Sequence, residues 1–211
     1  MLDKARHIVV EGPIGAGKTS FATRLAERLE ADLMLEHPEI NPFLGRFYEN
    51  MDRWALATQV SFLYQRYDLL SQFLARASER RVVSDFLIEK DPLFAGLTLS
   101  GDEERLYQRL YQTLSPQFPK PDLVIYLQAT PEVLMDRVRK RGMGAERNIT
   151  EDYLASVSER YASFFHQYDN APLFIVNAAA LNPIEHDDDF ELLIERLKNM
   201  RSYREFFGYA E

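Results

Sequence analysis

The sequence predicts an α/β fold of three layers, with a five-stranded parallel sheet between helices. Three observations carry that expectation. Short apolar runs alternate with longer stretches of helical periodicity. Most of the runs are dominated by Val, Ile and Leu without polar alternation, as strands covered on both faces require. A glycine-rich segment joins the first run directly to the first helical pattern.

The first strand is expected at His7–Glu11, and the chain continues as Gly12-Pro13-Ile14-Gly15-Ala16-Gly17-Lys18-Thr19, a complete GxxxxGK[ST] sequence. A helical pattern from Ser20 to Glu30 follows. The strand carries this loop to the carboxyl edge of the sheet, and its glycines let successive N–H groups converge on one anion. The positive amino end of the helix adds to that attraction. Lys18 can reach the β- and γ-phosphates of a bound nucleotide, and the Thr19 hydroxyl can ligate Mg²⁺. With Ser20 beside it, the segment reads as a P-loop, and the fold as a P-loop NTPase.

Asp32–Leu35, Arg81–Ser84, Asp122–Gln128 and Leu173–Asn177 supply the other four strands, joined by right-handed crossovers. Met51 to Glu79 reads as one long helix with apolar residues at Trp54, Leu56, Val60, Leu63, Tyr67, Leu70 and Leu74. That is more apolar surface than one sheet covers, so part of it is expected to face a second subunit. Leu114–Pro121, with three prolines, is a loop. A helix from Pro131 should end in the basic turn Arg137-Val138-Arg139-Lys140-Arg141 and stop at Gly142, with its cations at the negative end of the dipole.

The 211 residues suffice for one domain, 1–211. Without cysteine there is neither a disulfide nor a thiolate metal site, and a cytoplasmic protein is expected. No apolar run reaches membrane-spanning length. A net charge of −8 argues against a nucleic-acid polymer and fits a small anion in a local basic pocket. The four histidines, His7, His37, His166 and His186, lack zinc-ligand spacing. Asp187-Asp188-Asp189 reads as the acidic first turn of a helix rather than a metal site.

From His7 to about Tyr168 the chain resembles the deoxynucleoside kinase family, and bacterial deoxyadenosine and deoxyguanosine kinases in particular. Glu36 ends the second strand in Leu35-Glu36-His37-Pro38, where a family Glu ahead of a Pro holds the acceptor 5′-OH. A His intervenes here, so Glu39 competes for the role. Asp85 falls where the family has an acid that organises Mg²⁺ and is followed by Arg. This chain reads Asp85-Phe86-Leu87, without the arginine, and Arg46, Arg80 and Arg147 are possible substitutes.

Gln59 and Arg66 are seven residues apart, two helical turns and roughly 10 Å along one face. With Asp91 placed to fix the fork of Arg66, they match the set with which the family reads its base. Tyr48 matches a family tyrosine at the sugar 3′-OH, and Phe62 and Phe94 could sandwich the base. Arg137 and Arg141 share a helix face leading into a lid at about 137–149. Met143 replaces a further lid arginine, with Arg139 a possible compensation, and Glu146 matches a family glutamate that closes on the sugar. Asn177–Asp189 should edge the donor adenine.

The resemblance implies an ATP- and Mg²⁺-dependent kinase that phosphorylates the 5′-OH of a deoxynucleoside in salvage. Purines are favoured by Asn41-Pro42-Phe43-Leu44 with Tyr48 and Trp54 downstream. It also implies a homodimer. The alternatives are a nucleoside-monophosphate kinase of the thymidylate kinase type, and a regulatory protein that binds nucleotide without catalysis.

Overall fold

The computed structural model describes residues 1–75, 80–115, 118–179 and 181–208. Its centre is a parallel sheet of six strands: β1 (His7–Glu11), β2 (Asp32–Met34), β3 (Val82–Ser84), β4 (Leu123–Gln128), β5 (Leu173–Asn177) and β6 (Arg204–Phe207). Their order is β2-β3-β1-β4-β5-β6. Five of them stand where apolar runs predicted strands. The sixth corrects the expected count: β6 pairs with β5 from Leu173↔Arg204 to Val176↔Phe207 and leaves alternate residues exposed, as an edge strand does.

The alternation along each central strand divides the core. Ile8, Val10, Leu123, Ile125, Leu127 and Phe174 face one side, with Phe21 and Leu25 of α1 (Lys18–Leu29) and Phe190 and Leu193 of α8 (Asp187–Asn199). Val9, Val124, Tyr126 and Leu173 face the other and pack on Val157, Tyr161 and Phe165 of α7 (Glu151–Gln167). Asp187, Asp188 and Asp189 form the first turn of α8, as expected of a dipole-stabilised start.

α2 (Leu44–Glu49) precedes the long α3 (Met51–Ala75), and α4 (Asp91–Thr98) and α5 (Gly101–Leu114) follow β3. Positions 76–79 of the expected Met51–Glu79 helix lie outside the described residues, as do 116–117 of the Leu114–Pro121 loop. Along α3 the buried residues are Ala55, Thr58, Gln59, Leu63, Arg66 and Leu70, so three polar side chains share the face turned inward. Tyr64 and Leu74 are exposed on the same helix. α6 (Pro131–Arg141) stops at Gly142, whose φ of 64° is the left-handed conformation glycine adopts without penalty. Among the described residues, no helix is long and apolar enough to cross a membrane.

One buried group makes stability depend on pH. His7 lies beneath Phe73, with its Nε2 3.3 Å from Ser84 Oγ. Burial pushes its pKa down from 6.5 to about 4, against the opposing pull of Asp122. As pH falls from 6.5 to 4 the unfolded chain takes up a proton that the folded chain refuses. Stability present above pH 6.5 is therefore lost through that window, by about 3 kcal/mol in all. His7→Leu should show a smaller fall in thermal midpoint between pH 7 and 5 than the parent.

Candidate active site

The loop after β1 curls at the carboxyl edge of the sheet. Gly15 and Gly17 have φ of 86° and 88°, and a Cβ at Gly12 would stand 2.6 Å from the Leu127 carbonyl oxygen. Side chains at these positions would strain or fill the cradle. Pro13 and Ala16 are buried in the curl, where Ala16 N–H donates to the Pro13 carbonyl at 3.1 Å. Lys18 folds over the loop and donates to the carbonyls of Gly12 at 2.7 Å and Pro13 at 3.2 Å. Burial pushes its pKa down, opposed chiefly by Glu11. Ser20 is exposed in the first turn of α1.

Asp85, just past β3, ties this loop to the end of β2. Its Oδ2 accepts from Thr19 Oγ1 at 2.6 Å and its Oδ1 from the Glu36 backbone N–H at 2.7 Å. Burial raises its pKa, while these two hydrogen bonds oppose the rise. A hydroxyl and a carboxylate are hard oxygen donors suited to Mg²⁺, which takes one or two protein ligands together with phosphate oxygens. The residues present therefore fit that ion. Among the described residues no cluster of three or more His, Cys, Asp or Glu could hold a metal alone.

A cleft of about 780 Å³, open to solvent, runs from this loop to α3 and α7. Its lining includes Ile14, Gly15, Lys18, Thr19, Glu36, Asp85 and Arg141 together with Tyr48, Gln59, Phe62, Arg66, Phe94 and Glu146. Asp91 is fully buried and holds Arg66 through Nη1, while Nη2 of Arg66 pairs with Glu36 Oε1. Burial pushes Asp91 up, against Arg66 and Lys90. Gln59 Nε2 donates to Thr98 Oγ1 at 3.4 Å, and the Arg66 guanidinium lies 5.1 Å from the centre of the Phe62 ring. Burial raises Glu36, but Arg66, Lys90 and Lys18 together outweigh it and hold the carboxyl down to about 2. Glu39 pairs instead with exposed His37, 2.9 Å away, and is not part of the cleft wall.

The structure separates the two arginines expected at the lid. Arg137 and Arg141 share a helix face, but only Arg141 reaches the cleft, where it pairs with the buried Glu146. Arg137 donates to the Ala178 carbonyl at 2.7 Å, beside β5. Burial lowers its pKa. Arg139 pairs with Glu151 outside the cleft.

None of the three arginines offered as substitutes lines the cleft. Arg46 covers Trp54, Arg80 pairs with Asp32, Arg147 is exposed, and Phe86 is buried in the core. The loop leading to α8 closes against the phosphate loop instead, with Ile184 beside Gly17 and Arg24 donating to the Pro183 and Ile184 carbonyls. Position 180 of that loop lies outside the described residues.

Among the contributors that escaped the sequence reading are Glu11, Lys90 and Tyr161, with Tyr153 also in the cleft wall. Glu11 is fully buried and accepts from Gly12 N–H, Leu87 N–H and Tyr161 OH. Lys90 is 2% exposed and stands 3.3 Å from both Glu11 and Glu36. Its one signal in the sequence is a lysine between the apolar Phe86-Leu87-Ile88 and Asp91-Pro92.

The comparisons agree with this architecture. Residues 8–201 match the deoxynucleoside kinase family. The chain is 31% identical over 207 residues to a deoxyguanosine kinase from Bacillus subtilis, covering 94% of this chain and 99% of that one. It is 30% identical over 189 residues to a deoxyadenosine kinase from Lactobacillus acidophilus, covering 83% and 86%. The structure of a deoxyadenosine kinase from M. mycoides with bound dATP superposes with a TM-score of 0.79 at 25% identity, covering 91% of this chain and 99% of that one. The chain belongs to the deoxynucleoside kinase family.

Proposed function

We propose that this chain transfers the γ-phosphoryl group of ATP to the 5′-OH of a deoxynucleoside, with a preference for purines, in nucleotide salvage. The observation that carries the reading is the hydrogen-bonded link Thr19–Asp85–Glu36, which fixes an acid beside the phosphate loop within one cleft. Lys18 and the loop N–H groups neutralise the donor phosphates, and Thr19 and Asp85 would hold Mg²⁺. When bound, the metal would supply positive charge to offset the negative charge of the donor phosphates. Glu36 holds the acceptor hydroxyl in line. The 5′-oxygen bonds to phosphorus as the bond to the β-phosphate oxygen breaks, and the hydroxyl proton passes to Glu36. Arg141 faces the transferring group from the lid at 137–149 and, with Glu146 and Tyr48 at the sugar, excludes water.

Gln59 and Arg66 present an amide and a guanidinium to the base, between Phe62 and Phe94. A guanidinium fixed by Asp91 suits the N7 acceptor of a purine and the O6 of guanine. A Bacillus relative is named for deoxyguanosine and a Lactobacillus relative for deoxyadenosine, while a second Bacillus relative is named for deoxyadenosine and deoxycytidine. We further place the protein in the cytoplasm as a single domain that dimerises through the outer faces of α3 and α5, where Tyr64, Leu74 and Leu106 are exposed. A monomer in analytical ultracentrifugation at micromolar concentration would contradict the dimer.

ADP formation measured with each deoxynucleoside, each monophosphate and no acceptor tests the reaction. Stimulation by deoxyguanosine or deoxyadenosine is expected. Preference for thymidine would overturn the base assignment, and preference for a monophosphate would overturn the acceptor.

A further inference from the structure

One buried cation has no part in the reaction as proposed. Lys90 closes the turn Ile88–Lys90 after β3, and its ammonium lies 3.3 Å from Glu11 Oε2 and 3.3 Å from Glu36 Oε2. An ammonium buried this deeply is stable only when carboxylates offset its desolvation. The two carboxylates differ in their need for it. Glu11 already accepts two backbone N–H groups at 2.8 Å and the Tyr161 hydroxyl at 3.1 Å. The Glu36 carboxylate has two side-chain partners among the described residues, Lys90 and Arg66.

Arg66 cannot serve Glu36 alone. Its other arm is on Asp91, its plane lies near Phe62, and it forms part of the wall where the base is proposed to sit. A guanidinium that turns its N–H groups towards a base edge loosens its hold on Glu36. Lys90 also lines the cleft, but its ion-pair partners are Glu11 at the end of β1 and Glu36 just past β2, so its contact with Glu36 does not compete with a base. Meanwhile the position where the family pattern has arginine holds Phe86, which is buried in the core. The arginines that line the cleft among the described residues are Arg66 and Arg141, the second of them paired with Glu146.

We infer that Lys90 is the positioning residue that stands in for the missing arginine, holding the Glu36 carboxylate in line with the acceptor hydroxyl during phosphoryl transfer. This rests on the kinase reading above. A lysine that served only the burial of Glu11 would affect folding and leave turnover per folded molecule unchanged.

A double-mutant cycle separates the two roles. The parent, K90Q, K90R, E36Q and E36Q/K90Q are compared for kcat, for deoxynucleoside and ATP affinity by titration calorimetry, and for thermal midpoint. K90Q should lower kcat about 100-fold, the effect of misplacing a reacting group by about 1 Å, with both affinities within about threefold. K90R should recover about tenfold of that loss.

In the E36Q background, adding K90Q should alter kcat by less than about threefold, because the group through which Lys90 acts is gone. Should K90Q fail to fold, K90R against the parent decides, since it keeps the charge and should still lose about tenfold in kcat; a folded K90R with parental kcat would then overturn the inference. A folded K90Q with parental kcat, a K90R no better than K90Q, or an additive loss in the E36Q background would each overturn the inference. If the parent shows no deoxynucleoside-stimulated ADP formation, the kinase reading falls first and this one with it.

Discussion

Glu36→Gln should reduce kcat about 1000-fold, within the range of about 100- to 10,000-fold that a positioned general base supplies, and leave deoxynucleoside affinity within a few-fold. In the proposed arrangement the carboxylate contacts the reacting end of the acceptor, whereas Gln59, Arg66 and the aromatic walls hold the base at the other end. Glu36→Asp keeps the charge but withdraws it by one methylene, so it should fall between the parent and Glu36→Gln. The acidity of this group shapes a second expectation. Burial pushes the carboxyl up, but Arg66, Lys90 and Lys18 bring it down to about 2. Such a carboxylate is a poor proton acceptor from a free alcohol. In a loose transition state the proton leaves late, after the oxygen has begun to bond to phosphorus, so orientation matters more than basicity. Because the active, ionised form persists at every pH well above 2, kcat should show no carboxylate-type acid limb between pH 8 and 5.5. Burial raises Asp91 to about 7, so initial rates of ADP release across that range are compared with those of Asp91→Asn. A limb near pH 5 to 6 that persists in that variant would mean that the base is held differently.

Local rules govern the parts of this molecule that could be read from letters. The turn from β1 to α1 is legible because its geometry demands glycine at fixed places, and the φ of 86° at Gly15 and 88° at Gly17 shows the demand met. The end of α6 is legible for the same reason at Gly142. Gln59 and Arg66 were expected on one face of a helix by their spacing, and the structure adds that this face is the buried one, shared with Leu63 and Leu70. What escaped depends on partners distant in sequence. β6 mixes charged and aromatic residues with half of them exposed, so its strand character arises only from pairing with β5. Arg137 sits where periodicity put it, yet a long side chain chooses among partners within its reach, and the Ala178 carbonyl takes it. Lys90 could not be found by periodicity, because its meaning comes from the ends of two strands far earlier in the chain, where Glu11 and Glu36 stand.

Arg66→Gln should be the most disruptive change to stability in the cleft. Arg66 is 5% exposed and bridges Asp91, which is fully buried, to Glu36. Removing it strands Asp91 and leaves Lys90 as the near cation on Glu36. Breaking one side of a buried ion pair costs about 3–5 kcal/mol, which in a chain of this length lowers the thermal midpoint by roughly 6–20 °C. Recognition should suffer separately. Losing a hydrogen bond from a charged donor to the base is worth about 1.5–3 kcal/mol, or about 10- to 100-fold in deoxynucleoside affinity. The two losses can be pulled apart with Arg66→Gln combined with Asp91→Asn. That pair relieves the stranded carboxylate, so much of the thermal stability should return. The affinity should not, because an amide pair offers the base neither the charge nor the fixed fork of the guanidinium. Thermal unfolding and calorimetric titration with deoxyguanosine measure the two sides independently. If stability and affinity recover together in the double variant, Arg66 serves the packing beneath the cleft and the base is read elsewhere.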